Sequence, residues 1–129
     1  MRILLDAHVW LWILGAPERL SRASRSRLGD PVHQFCFSAA SVWEIAIKEA
    51  LGRVQLPGEL VAYLRSRLAQ GPPIPLPLQH EHALRIATRP RHHRDPFDRM
   101  LIAQAQVEGL ALMTADPVFR AYQVETIRA

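Results

Sequence analysis

Apolar residues open the chain as a short run, Ile3-Leu4-Leu5, that stops at Asp6 and then returns as Val9, Trp10, Ile13 and Leu14 at helical spacing. The pattern predicts a strand followed by a helix. Ser21 to Leu28 predicts a short polar helix, and Gln34 to Phe37 a second strand that ends at Ser38. Ala39 to Leu51 carries a sustained helical period closed by Gly52, and Pro57 is placed to open a further helix running to Ala69. The proline-dense stretch from Gly71 to Pro77 lacks the N–H donors of a central strand, so it reads as a loop with at most a short edge strand. His80 to Thr88 predicts a modest helix, and Arg89 to Arg94 a basic loop rich in histidine. Asp95-Pro96 has the form of an N-cap followed by proline in the first turn, opening a helix to Glu108 that Gly109 ends. Leu110 to Thr114 predicts a strand, Asp116-Pro117 a short helix, and Val124 to Ile127 a last strand.

Strands that alternate with helices predict an α/β sandwich around a mostly parallel sheet. With 129 residues, 49% of them hydrophobic, the chain can bury a core without staples, and residues 1–129 are expected to form a single unit. The sole cysteine, Cys36, excludes a disulfide framework and a cysteine-based zinc site, and suits the reducing cytoplasm. Asp6 and His8 interrupt the first apolar run before it reaches the length of a signal-peptide core or a membrane span, so no membrane association is expected. The formal charge of +4 is carried by arginine, with Lys48 the only lysine. Guanidinium forks suit phosphate oxygens, which leans the chain towards nucleic acid or an acidic partner; genomic base composition is the competing explanation.

Four carboxylates carry the chemistry. Asp6 and Asp116 each follow a predicted strand, where open α/β sheets place ligand-binding groups; helix capping is the ordinary alternative for both. Glu44 shares a polar stripe with Ser41 and Lys48, and a capping box from Ser41 or an ion pair to Lys48 would explain it equally well. Asp98 is less ordinary, because Leu101, Ile102 and Ala105 put it on the apolar face of its helix. A carboxylate turned towards a core needs a partner, a hydrogen bond or a metal. Gathered at one end of a parallel sheet, the four would repel each other and raise their own pKa values unless a cation joined them. All-oxygen ligands favour a hard ion, Mg²⁺ or Mn²⁺, over zinc.

The sequence resembles the PIN-domain ribonucleases, and among them the VapC-type toxins. Four stretches carry the resemblance: Ile3-Leu4-Leu5-Asp6-Ala7-His8, Ser38-Ala39-Ala40-Ser41-Val42-Trp43-Glu44-Ile45, the run from His93 through Asp95-Pro96-Phe97-Asp98 to Ala105, and Leu112-Met113-Thr114-Ala115-Asp116-Pro117. Their order and spacing span almost the whole chain. The resemblance implies a three-layer α/β/α sandwich whose acidic pocket, formed by Asp6, Glu44, Asp98 and Asp116, binds Mg²⁺ or Mn²⁺ and cuts single-stranded regions of RNA. It implies small hydroxyls near that pocket at Ser38 and Thr114, and a supporting role for Asp95 beyond its helix cap. It also implies 5′-phosphate and 3′-hydroxyl products, an antitoxin partner and a homodimer. Ala7 departs from the pattern, since many relatives carry threonine there, and so removes a hydroxyl that would orient Asp6.

Around these acids, Arg91, Arg94 and Arg99 are candidate phosphate contacts, which confer salt-dependent affinity but little sequence choice. His92 and His93 are candidates for a metal ligand or general acid, with plain solvent exposure as the alternative. Trp10, Trp12 and Trp43 are candidates to stack bases, with core or interface packing favoured because all three lie in helices rich in aliphatic residues, and surplus apolar surface on the Val9 to Leu14 segment would suit a homodimer or an antitoxin. Two other readings stay open: a catalytically inactive RNA- or partner-binding module, and an aspartyl-phosphate phosphatase or receiver-like domain. The second lacks expected signals, because His8 stands two residues after Asp6 and no lysine follows a late strand.

Overall fold

The structure, a computed structural model, describes residues 1–88 and 95–129. In chain order its elements are β1 (Arg2–Leu5), α1 (Ala7–Gly15), a 3-10 turn (Pro17–Arg19), α2 (Arg22–Leu28), β2 (Gln34–Ser38), α3 (Ala39–Ala50), α4 (Leu60–Ala69), β3 (Ile74–Leu76), α5 (His80–Ala87), α6 (Pro96–Glu108), β4 (Ala111–Thr114), a 3-10 helix (Pro117–Ala121) and β5 (Thr126–Arg128). The five strands form one sheet in the order β3-β2-β1-β4-β5, and every pairing is parallel. The sheet is thus wholly parallel, with β1 at its centre and chain order running outward on both sides.

Alternation along the strands divides the core between two faces. Ile3, Leu5, Phe35, Phe37, Ala111 and Met113 point to one face, where they meet Val9 and Trp10 of α1, Ile45 of α3 and Leu64 of α4. Leu4, Cys36 and Leu112 point to the other, against Leu101, Ile102 and Ala105 of α6 and Phe119 and Tyr122. Helices therefore cover both faces, and the architecture is the three-layer α/β/α sandwich. Leu4 and Leu112 are fully buried, each burial being worth about 2–3 kcal/mol.

Local chemistry sets the boundaries. Ser21 Oγ accepts from Ser24 N at 3.1 Å to start α2, and Asp95 Oδ1 accepts from Phe97 N and Asp98 N to start α6. Gly109 ends α6 in the left-handed conformation with φ 67°, which glycine adopts without the Cβ clash. Some of these boundaries and caps differ from those the sequence predicts. Helix α4 begins at Leu60 rather than Pro57, because the Glu59 carboxylate reaches forward to the N–H groups of Val61 and Ala62. Ser38, not Ser41, caps α3: its Oγ accepts from Ala40 N at 3.0 Å, so strand passes to helix without a loop and the Ser41–Glu44 capping box does not form. The last strand starts two residues later, at Thr126, after Val124 N turns back to Tyr122 O.

Candidate functional site

Strand order reverses at β1: β2 lies on one side and β4 on the other, and ligands of open α/β sheets sit in the crevice outside such a switch point. Asp6 leaves the end of β1 and Asp116 follows the end of β4, which places both at that crevice. Glu44 reaches it from α3 and Asp98 from the first turn of α6. All four line one cleft of about 380 Å³, together with His8, Trp12, Lys48, Asp95 and Ala115.

Asp6 is held hard against the sheet. Its N–H bonds to Met113 O at 3.0 Å, and its side chain, with the residue only 5% exposed, accepts from Thr114 Oγ1 at 2.8 Å instead of capping α1. The same Thr114 oxygen accepts from the N–H of Asp116 at 3.1 Å. One hydroxyl thereby ties the two strand-end acids together, and supplies the orienting bond that Ala7 does not. Burial pushes the Asp6 carboxyl above its ordinary value of 3.8; the Thr114 hydroxyl, then the nearby His8 charge and the amides of His8 and Ala7, pull the other way.

Glu44 is 2% exposed, and its Oε2 accepts from the Lys48 ammonium one turn along α3, so the predicted ion pair is present. Its other oxygen, Oε1, is buried without a hydrogen-bond partner among the described residues. Asp98 is 8% exposed on the inward face of α6, as its spacing predicted, and sits at the favourable end of the helix dipole. Asp95 caps α6 through both bonds described above and also lines the cleft. Asp116 is exposed and caps the 3-10 helix Pro117–Ala121 through Val118 N at 3.0 Å, so capping and cleft lining coexist there.

Other predicted residues stand apart. Ser38 is buried as the cap of α3 and is not among the cleft's lining residues. Arg99 donates to Ile86 O at 3.3 Å, tying α6 to α5. Arg91, His92, His93 and Arg94 lie outside the described residues. Trp10 is core, stacked at a tilt on Phe37 with ring centroids 4.4 Å apart. Trp43, however, is 59% exposed and meets Phe97 edge to face at 5.1 Å. Exposed large apolar side chains include Trp43, Ile47, Leu51 and Val61 around α3 and α4, as well as Leu84 of α5 and Val107 of α6, whereas Leu11, Ile13 and Leu14 of α1 are partly buried against the core. His8, not among the residues expected at the site, lines the cleft with Trp12, one of the three base-stacking candidates. Their i, i+4 spacing on the helix that follows Asp6 was the available signal.

The donor set suits a hard cation. Four carboxylates offer oxygen alone, one oxygen of Glu44 is buried and unpartnered, and Asp6 is desolvated in a way that a divalent neighbour would relieve. Among the described residues no three His, Cys, Asp or Glu side chains converge closely enough to ligate one ion directly. A wide cleft of separated carboxylates fits Mg²⁺ chemistry better than a tight cage would, since Mg²⁺ dehydrates reluctantly and keeps several waters. Glu44, Asp6, Asp98 and Asp116 are the residues that would hold such an ion, directly or through water.

Comparison with known proteins follows the same lines. The chain is 28% identical over 121 residues to Ribonuclease VapC22 of Mycobacterium tuberculosis, covering 94% of this chain and 92% of that protein. Its fold matches a chain of VapBC2 from Rickettsia felis, solved bound to a DNA fragment from their promoter, with a TM-score of 0.74 at 10% identity and 98% of each chain covered. It also matches a chain of FitAcB from Neisseria gonorrhoeae, with a TM-score of 0.67 at 22% identity over 98% of this chain and 96% of that one. The sequence profile of the PIN domain matches residues 3–125, nearly the full length, and the chain belongs to the PIN domain family.

Proposed function

We propose that this protein is a Mg²⁺- or Mn²⁺-dependent endoribonuclease that cuts single-stranded regions of RNA and serves as the toxin of a toxin–antitoxin pair in the cytoplasm. The observation that carries the reading is the meeting of Asp6, Glu44, Asp98 and Asp116 in one cleft at the switch point of the sheet. Similarity to a protein named Ribonuclease VapC22, and a fold shared with a chain of VapBC2, support it.

When bound there, the ion supplies Lewis-acid stabilisation of the phosphate's developing charge and a lowered pKa for attacking water. The protein's part is placement. Thr114 fixes the Asp6 carboxylate and the Asp116 backbone in one frame, so the strand-end acids need little reorganisation. Lys48 neutralises Glu44 in the metal-free protein, which limits the mutual repulsion of the acids. The exposed apolar residues Trp43, Ile47, Leu51 and Val61 support a protein partner on the α3–α4 side, an antitoxin or a second copy in a homodimer. No helix among the described residues is long and apolar enough to cross a membrane.

The test is cleavage of end-labelled structured RNA by the purified protein with Mg²⁺ or Mn²⁺, with chelator, and by Asp6→Asn and Asp98→Asn variants. The expected result is cutting that chelator and both substitutions abolish, leaving 5′-phosphate and 3′-hydroxyl ends. Products ending in 2′,3′-cyclic phosphate would overturn the mechanism, because they arise from attack by the RNA's own 2′-hydroxyl.

A further inference from the structure

Beside the acidic cleft lies a second, smaller hollow of about 160 Å³, lined by Thr114, Ala115, Asp116, Pro117, Arg120, Thr126 and Arg128. Ala115 and Asp116 border both hollows, so the two adjoin at the carboxyl end of β4. Asp116 stands at this boundary, with Asp6, Glu44 and Asp98 on one side and two guanidinium groups on the other.

The basic side is built by the fold. Arg128 is the register partner of Thr114 across the β4–β5 pairing, so it extends the row that begins at Asp6 and Thr114. Its backbone is pinned, because Arg128 O accepts from Ser24 Oγ at 2.8 Å and the next N–H, of Ala129, bonds to Thr114 O at 3.0 Å. Thr126, two residues earlier, projects on the same face as Arg128. Arg120 comes from the 3-10 helix that Asp116 caps. Both arginines are exposed, and among the described residues neither guanidinium takes part in a hydrogen bond or ion pair; the ion pairs there are Lys48–Glu44 and His82–Glu108. Neutralisation of Asp116 is therefore not what they do in this structure. Two unengaged planar cations and a hydroxyl around a concave floor match the oxygens of a phosphodiester.

We infer that Arg120, Arg128 and Thr126 form a subsite for a backbone phosphate of the RNA strand, next to the phosphate at the acidic cleft. The inference deepens the ribonuclease reading and rests on it. A strand passing over both hollows would place one phosphate beside the acids and a neighbouring one on the arginines. The subsite holds the strand by charge and so sets its path without choosing its sequence.

Binding of a fluorescent single-stranded oligonucleotide, measured by anisotropy in chelator at a series of salt concentrations, tests this independently of cleavage. Each phosphate contact on a single strand contributes a slope of roughly −0.7 in log affinity against log salt. The variant Arg120→Gln/Arg128→Gln should have a slope shallower by about 1.4, so that wild type loses about sevenfold more affinity than the variant between about 50 and 200 mM salt. Arg120→Lys/Arg128→Lys should keep the wild-type slope, which separates charge from misfolding. In cleavage assays the glutamine variant should raise KM for RNA far more than it lowers kcat, with Mn²⁺ binding intact. Equal slopes in wild type and the glutamine variant would overturn the subsite. Failure of the wild type to cut RNA would instead refute the ribonuclease reading, whatever the slopes.

Discussion

Thr114→Val removes one hydroxyl from the centre of the site and almost nothing else, since valine has the same shape and suits a strand at least as well. The lost hydroxyl donates to the buried Asp6 carboxylate at 2.8 Å and accepts from Asp116 N at 3.1 Å. A hydrogen bond to a charged group contributes about 1.5–3 kcal/mol. Asp116 is exposed, so its freed N–H can turn to water and adds little. The substitution should cost about 2–3 kcal/mol in metal-free protein near neutral pH, a fall in Tm on the order of 10 °C for a domain of this size. Thr114→Ser, which loses a methyl but keeps the hydroxyl, should cost only about 1 kcal/mol. The order of stability is then Thr, Ser, Val, the reverse of the order that hydrophobicity and strand propensity set for serine and valine. In an Asp6→Asn background the Thr114→Val cost should shrink to about 1 kcal/mol, because a neutral acceptor replaces a charged one. Urea and thermal unfolding of the four proteins of this cycle and of Thr114→Ser, in chelator, measure every value. A Thr114→Val variant within about 0.5 kcal/mol of wild type, or an equal cost in both backgrounds, would refute the reasoning.

Three further outcomes follow from the same geometry. Burial raises the folded-state pKa of Asp6, so its contribution to stability is fully present below about 3.8 and is lost as pH rises through the raised value; Asp6→Asn should therefore flatten this decline and stabilise the metal-free protein at neutral pH, as unfolding across a pH series will record. In the same window Mn²⁺ affinity should rise with pH, because the ion displaces the proton, and Mn²⁺ should raise the Tm of wild type but not of Asp6→Asn. Lys48→Met leaves the buried Glu44 without its cation and should cost about 2 kcal/mol in chelator, less than a fully buried pair because the Lys48 side chain is 26% exposed; added Mn²⁺ or a second change, Glu44→Gln, should restore most of the loss in thermal unfolding. Gly109→Ala meets no neighbouring atom within 4 Å but must hold φ 67°, and should cost about 1 kcal/mol in the same assay through backbone strain alone.

The legible parts of this protein were those written in local chemistry. Asp95-Pro96 and Gly109 fixed both ends of α6, and the stop of the first apolar run at Asp6 fixed the end of β1, because capping and punctuation depend on adjacent residues. Less legible were features in which a side chain acts outside the commonest pattern. Glu59 caps α4 with a longer reach than Asp or Ser, and Ser38 caps α3 while still ending β2. The inward turn of Asp98 was readable from helical spacing. The bond from Thr114 to Asp6 joins residues 108 positions apart and exists only because β1 and β4 are neighbours in the sheet. The arginine hollow is further still from the sequence, since it depends on the β4–β5 register that sets Arg128 beside Thr114.

In the proposed function, RNA cleavage depends on a divalent ion held by the acids of the cleft. The most direct test is Mn²⁺ occupancy, read by electron paramagnetic resonance, with RNA cleavage measured on the same samples of wild type, Asp6→Asn, Glu44→Gln, Asp98→Asn and Asp116→Asn. Occupancy and cleavage should fall together, most steeply for Asp6→Asn. Cleavage that survives in Asp6→Asn or in chelator, or Mn²⁺ that binds all four variants as it binds wild type, would contradict this.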